Sequence, residues 1–305
     1  MRKEYIVEEA CPGVRVDRYL RNLLPGVPQS FIEKSLRKGE ILLNNTKTKS
    51  STRVSDGDVL SIKGTHRIEQ RGKEIHEFRH TSLLRLISSS IVYEDEDIIA
   101  VNKPAGVSVQ GGSNVKTSIA DLLDKIRPGE CCRIVHRLDK DTSGVLVLAR
   151  NLSVARRLAS EFRDRRVHKE YTAITLGIPS PTTGEVNTPI LYKAEIGGGV
   201  VSKEARTIFS VVKTLGNFAV VLLHPVTGRK HQLRIHMSQM GCPIVGDRKY
   251  CKCDPTGQQA LHLHASLLIL EPMGRKLSIS APIPNYMEET INALSTACQV
   301  RDGSC

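Results

Sequence analysis

Nowhere does this chain carry a run approaching the ~18 uninterrupted apolar residues of a membrane-spanning helix, so no transmembrane segment is expected. The opening stretch M-R-K-E-Y-I-V-E-E mixes acids into its apolar residues and lacks an apolar core, which argues against a secretory signal. Both absences point to the reducing cytosol, where the 8 cysteines read as free thiols rather than a disulfide framework. A nucleotide-phosphate loop is missing: a glycine-rich stretch leads to Lys116-Thr117, but no glycine precedes Lys116 as G-x-x-x-x-G-K-[ST] requires. Ser143 lacks the G-x-S-x-G setting of an activated serine, which argues against an esterase. Cys251-x-Cys253 followed by His262-x-His264 also lacks zinc spacing, which puts two to four residues between the cysteines. Buried thiols and ordinary strand histidines are expected there, with no metal and no cofactor. There is no internal repeat.

What the chain holds in excess is positive charge. Lysine and arginine number 44 against 32 acids, a formal net charge of +12 with a sequence pI near 9.4. Such an excess concentrates a polyanion at the surface, and nucleic acid is the polyanion a soluble protein meets most. Composition alone also admits a basic metabolic enzyme. A length of 305 residues predicts two domains.

The first domain is expected over residues 1–62. Val16, Tyr19, Leu20, Leu23 and Leu24 recur at helical spacing, and Pro25-Gly26 ends that helix. Pro28 and Ser30 open a second helix with Phe31, Ile32, Ser35 and Leu36 as its inner face, closed by Gly39. I-L-L-N-N and V-S-D-G-D-V-L-S-I then give strands. Arg15, Arg18, Arg21, Lys34, Arg37 and Lys38 fall on outward positions. Charge alone reads equally well as a solvated surface. The order V-D-R-Y-L, S-F-I-E-K-S-L-R-K-G-E-I-L-L-N, V-S-D-G-D-V-L resembles the RNA-binding module of small-subunit ribosomal protein four, the S-four fold. That resemblance implies RNA contacts from Arg15, Arg18, Lys34, Arg37 and Lys38. Residues 63–85, charged and poor in apolar anchors, read as a flexible linker.

A second domain is expected over residues 86–297, followed by a tail over 298–305. I-V-Y-E-D-E-D-I-I-A-V-N-K-P reads as two strands around an acidic turn, stopped by Pro104. Helices are predicted over 118–126, 154–167 and 230–240, with a last one begun by Asn285. Strands are predicted over H-K-E-Y-T-A-I-T-L-G, 206–213, 217–224, 261–270 and K-L-S-I-S-A-P. On the 230–240 helix, His231, Arg234 and Ser238 share one face while Leu233, Met237 and Met240 share another, so Arg234 can point into a cleft.

The organising stretch is R-I-V-H-R-L-D-K-D-T-S-G-V-L-V-L-A-R, residues 133–150, two apolar runs around a charged loop. Paired carboxylates Asp139 and Asp141 raise glycoside hydrolysis, but Asp141 before Thr-Ser-Gly reads as a turn cap. H-R-L-D-K-D-T-S-G, N-K-P-A-G-V-S-V-Q-G-G-S and H-P-V-T-G-R-K-H-Q-L-R-I-H-M-S-Q-M-G-C-P-I-V-G-D together strongly resemble the RluA family of ribosomal RNA pseudouridine synthases. The resemblance implies an α+β pseudouridine synthase fold, a mixed, mostly antiparallel sheet with flanking helices. It makes Asp139 the essential catalytic residue, a nucleophile at the sugar or the base or a base that removes a proton from the sugar, among which the sequence does not choose. It also makes Arg234 the cationic partner of Asp139, and Tyr171 the ring that stacks on a flipped-out base and assists proton removal. Arg137 would fill the space the base leaves, and Lys103, Arg229 and His231 would contact phosphate or base. The N-terminal module and Q-G-G-S lie nearer the RluC group, which acts on large-subunit (23S) rRNA. The implied partner is that RNA or a pre-ribosomal particle, met by a monomer in the cytoplasm, with no membrane partner. The alternatives are a tRNA pseudouridine synthase and a non-catalytic RNA-binding assembly factor that keeps the fold.

Overall fold

The computed structural model describes residues 2–8, 13–24, 27, 29–63, 82–111, 117–130, 132–193, 199–251, 254 and 256–302. They form two compact units, Met1–Ser89 with Ser108–Cys132, and Ser90–Val107 with Arg133–Cys305.

The first unit contains β1 (Arg2–Ile6), β2 (Val14–Arg15), α1 (Val16–Leu23), α2 (Gln29–Lys38), β3 (Ile41–Leu43), β4 (Arg53–Val54) and β5 (Val59–Lys63). A helix over residues 82–89, α3, and α4 (Ile119–Ile126) complete it. The strands β1-β5-β3 make an antiparallel sheet. Val16 and Leu20 of α1 meet Ile32 and Leu36 of α2 in a dry core over that sheet. Phe31, expected on the inner face of α2, is instead 45% exposed. Its neighbours Ile32, Ser35 and Leu36 hold the i, i+3, i+4 stripe, and Phe31 lies about 100° round the helix from Ile32. The expected linker is helical from Ser82 to Arg85, and residues 64–81 lie outside the described residues. The helix α4 starts at a capping box in which Ser118 and Asp121 exchange hydrogen bonds with each other's backbone. Expected with the second domain, α4 groups with the N-terminal residues because its acids meet the arginines of α1. Arg18 reaches Asp124 at 2.6 Å and Arg21 reaches Asp121 at 3.1 Å.

The second unit carries β6 (Ile91–Glu94), β7 (Ile98–Lys103), β8 (Arg133–Ile134), β9 (Ser143–Ala149), α5 (Leu152–Arg163) and β10 (His168–Leu176). It continues with β11 (Thr183–Val186), β12 (Ile190–Lys193), β13 (Val200–Lys203), β14 (Thr207–Leu215), β15 (Phe218–Pro225), α6 (Gln232–Gln239), β16 (Leu263–Leu270), β17 (Leu277–Ser280) and α7 (Asn285–Asp302). A 10-stranded sheet runs β11-β14-β15-β10-β16-β9-β7-β6, with β17 beside β16 and β8 beside β9. Within it β16 and β9 run parallel and the other pairs antiparallel. The architecture is thus α+β with a mostly antiparallel sheet. Every residue of β9 is buried, as its unbroken apolar run implies for a strand covered on both faces. Gly144 (φ 111) lets β9 approach β16, since a Cβ there would overlap the backbone of Ala265. One apolar side of α5 packs on β7 and β9 through Val154 and Leu158. Leu233 and Met237 seat α6 against Phe209, Val221 and Leu223. The predicted helix over 154–167 ends early, at Arg163, because the chain turns through a left-handed Arg165 (φ 58). Among the described residues no helix is long and apolar enough to cross a membrane.

Candidate active site

The loop from β8 to β9 is held at its root by His136. Its Nε2 accepts from the Val147 amide at 2.9 Å, and its ring stacks on Phe162 of α5 at 4.4 Å. Burial, helped by Lys169, lowers its pKa to about 3, so it is a neutral imidazole with its proton on Nδ1. Further along, the Thr142 amide donates to the Asp139 carbonyl at 3.2 Å, closing the turn under the carboxylate.

Lys103, expected to touch RNA, is fully buried. Its ammonium donates to the carbonyls of Pro104 (2.9 Å), Val107 (2.9 Å) and Lys140 (3.0 Å). Burial lowers its pKa to about 7 against the opposing pull of Asp141 and Asp139. The correction follows from bonding capacity. The three donors of a lysine ammonium are used within the protein, tying the N-K-P-A-G turn to the Asp139 loop.

The Asp139 side chain keeps 32% of its surface, with His231 Nε2 at 3.9 Å from Oδ2. His231 sits in a left-handed conformation (φ 56) before α6, and its Nδ1 shares a 2.8 Å hydrogen bond with the Tyr250 hydroxyl. Tyr171 on β10 feels the same carboxylate. Burial first, then Asp139, pushes its phenol well above the ordinary value, so it stays protonated. At neutral pH it can stack or donate a hydrogen bond.

Arg234 does not grip Asp139. Its fork is closed on Asp247, Nε to Oδ2 at 2.7 Å and Nη2 to Oδ1 at 2.6 Å. Asp247 also accepts from the amides of Lys249 and Tyr250. Burial opposes the arginine's charge, and Asp247 with Asp139 outweighs it. Asp139 therefore meets Arg234 as a field through space rather than a bonded partner. The expectation fails because a buried guanidinium takes the acid whose geometry offers both oxygens.

Of the other residues, Arg137 is exposed on the loop, and Arg229 donates through Nε to the Glu204 carbonyl at 2.9 Å. In the first unit Arg15 closes on Asp17 and Arg18 on Asp124, whereas Lys34, Arg37 and Lys38 are exposed along α2. His262 and His264 have both ring nitrogens in hydrogen bonds, so neither offers a free metal ligand; Cys253 lies outside the described residues.

A carboxylate on a braced loop, a protonated tyrosine beside it and a fixed positive charge behind it is an arrangement for acting on one polar group held against the tyrosine ring. Residues 97–239 match the family described as RNA pseudouridylate synthase. The chain is 37% identical over 287 residues to ribosomal large subunit pseudouridine synthase C of Rickettsia bellii, spanning 89% of this chain and 95% of that protein. The chain belongs to the RluA family of RNA pseudouridine synthases. The Vibrio vulnificus protein with the same name as that of Rickettsia is 32% identical to this synthase over 304 residues, spanning 95% and 96% of the two chains. A solved human structure, RNA pseudouridylate synthase domain containing 4, shares 32% identity and a TM-score of 0.62 over 71% of this synthase and 97% of that chain.

A pseudouridine synthase is an isomerase. It breaks the bond between N1 of uracil and C1′ of ribose, turns the base and joins C5 to C1′. The C5 proton leaves and N1 gains one, so atoms and electrons balance without any co-reactant. The residues that sequence reading missed in this synthase are Asp247 and Tyr250. Asp247 is the last residue of the H-P-V-T-G-R match and Tyr250 follows three residues on; a buried arginine calls for a compensating acid, which is the signal that could have found Asp247.

Proposed function

We propose that this synthase converts uridines to pseudouridine in large-subunit (23S) ribosomal RNA, with Asp139 as nucleophile on a flipped-out base. The supporting observation is the position of the Asp139 carboxylate, partly open to solvent and flanked by Tyr171, His231 and the Arg234–Asp247 pair. Solvent access admits a substrate atom, and the fixed arginine charge offers attraction to negative charge at that place. Extruding the uridine costs a few kcal/mol of stacking and pairing, which Arg137 offsets by entering the gap and Tyr171 by stacking on the base. Relatives named ribosomal large subunit pseudouridine synthase C support the choice of RNA. The enzyme works as a monomer in the cytoplasm, on free rRNA or a pre-ribosomal particle. The α1–α2 module acts as an S-four-like docking surface, through Lys34, Arg37 and Lys38.

Two measurements test this. Asp139→Asn binds RNA but releases no tritium from RNA carrying 5-tritiated uridine; turnover by a preparation free of wild-type enzyme sinks the role of Asp139. Pseudouridine mapping in cells lacking the gene shows sites missing from large-subunit rRNA; losses confined to tRNA assign the enzyme to the other substrate.

A further inference from the structure

At one end of the β10–β15 pair, three side chains converge without bonding to one another. His168 and Glu170 occupy alternate positions of β10 and so share a face. His224 of β15 stands beside them, and one ligand atom from each lies within 4.8 Å of the others. The Nε2 of His224 stops 3.8 Å from Glu170 Oε2, too far for a hydrogen bond. Its buried Nδ1 has no hydrogen-bond partner among the described residues. The rings of His168 and His224 are 5.2 Å apart and tilted by 37°, not stacked. The contrast with His236, His262 and His264 is plain, because each of those has both nitrogens engaged. A half-buried imidazole with neither nitrogen hydrogen-bonded lacks the partner that such groups normally have.

We propose that His168, Glu170 and His224 form a binding site for a divalent transition metal, with zinc as the ion of choice. Two imidazole nitrogens and one carboxylate oxygen are the donors that borderline-soft ions accept, and zinc holds them at about 2.0–2.2 Å. A tetrahedral ion at those lengths places its donors roughly 3.4 Å apart. The present spread closes to that by small turns of the exposed His168 and of the Glu170 and His224 side chains. Glu170 cancels half the ion's charge, and the exposed side leaves the fourth position to water. By strand alternation the site lies on the face of β10 opposite Tyr171, so the ion would cross-link β10 to β15 behind the tyrosine without entering its cleft. It is a clamp on the strand that carries Tyr171, and the isomerisation itself needs no metal. The proposal is independent of which RNA the enzyme modifies.

Zinc titrated calorimetrically into EDTA-treated full-length enzyme tests it, with the same titration on His168→Ala, His224→Ala and Cys251→Ser/Cys253→Ser proteins. The expected result is one saturable site that survives in the cysteine variant and weakens roughly tenfold or more in each histidine variant. Zinc should also raise the melting temperature of the wild type and the cysteine variant, and not of His224→Ala. Equal zinc affinity in wild type and both histidine variants overturns the proposal. Loss of binding in the cysteine variant overturns it too, moving the ion to the Cys251 segment. His168 is exposed, so His168→Ala remains informative if His224→Ala folds poorly.

Discussion

Arg234 and Asp247 face each other across two parallel hydrogen bonds of 2.7 and 2.6 Å, with the carboxylate wholly buried and the guanidinium nearly so. The pair fixes the position of a positive charge whose field reaches Asp139, and the charge is useful only while its own partner stays ionised.

Replacing Asp247 with alanine leaves that guanidinium buried and alone. Breaking a buried pair costs about 3–5 kcal/mol, so urea denaturation should show a loss in that range and pseudouridine formation should fall although Asp139 is intact. An Asp247→Ala enzyme with unchanged stability and rate would mean that the pair is dispensable to both.

Lys103→Met gives the sharpest separation between a phosphate contact and an internal brace. The variant strands the carbonyls of Pro104, Val107 and Lys140, each worth roughly 1–3 kcal/mol when left buried without a donor. Catalytic rate and stability should drop while the salt dependence of RNA binding stays as in wild type. A slope lower by about one unit would return Lys103 to the RNA surface.

Stability should decline on acidification before the carboxylates titrate. His136 and His264 have folded pKa values of about 3 and about 4, both lowered by burial, against about 6.5 in the unfolded chain. Below pH ~6.5 the unfolded state takes protons that the folded state refuses, so stability is complete above that pH and falls as pH drops toward 4. Each histidine contributes a slope of up to ~1.4 kcal/mol per pH unit. His136→Gln keeps an acceptor for the Val147 amide and cannot titrate. Urea midpoints from pH 7 to 4.5 should fall less steeply for it.

The exposed cations of α2 can be tested together. A Lys34→Ala/Arg37→Ala/Lys38→Ala enzyme should bind rRNA more weakly, with its log–log salt slope reduced by about three. Its rate on saturating short RNA should be unchanged, because Asp139, Tyr171 and Arg234 all belong to the other unit. An unaltered slope would make this helix face merely solvated.

The features that sequence reading recovered are those written in local pattern. The run V-L-V-L-A announced a buried strand, the apolar spacing over 118–126 announced α4, and the 3.6-residue spacing put Leu233 and Met237 inward on α6. What it missed depends on partners distant in the chain. The pairing of β1 with β5 joins a polar edge strand to one more than fifty residues later, and nothing in R-K-E-Y-I marks it. A lysine is read as exposed until carbonyls from two loops surround it, and Arg234 could not choose between Asp139 and Asp247 until both were placed. The grouping of α4 with α1 rests on two ion pairs about a hundred residues apart in sequence.

The place of β16 in the sheet has a consequence for the timing of folding. The strands β6, β7 and β9 form one block and β10, β14, β15 and β11 another, and β16 alone lies between them, parallel to β9 and antiparallel to β10. The Asp139 loop belongs to the first block and Tyr171 to the second. A chain made from its N-terminus onward folds as its segments emerge, but these halves cannot be bridged until Leu270 has been synthesised. The sheet that holds the Asp139 loop and Tyr171 in one body therefore closes only after residue 270 has emerged.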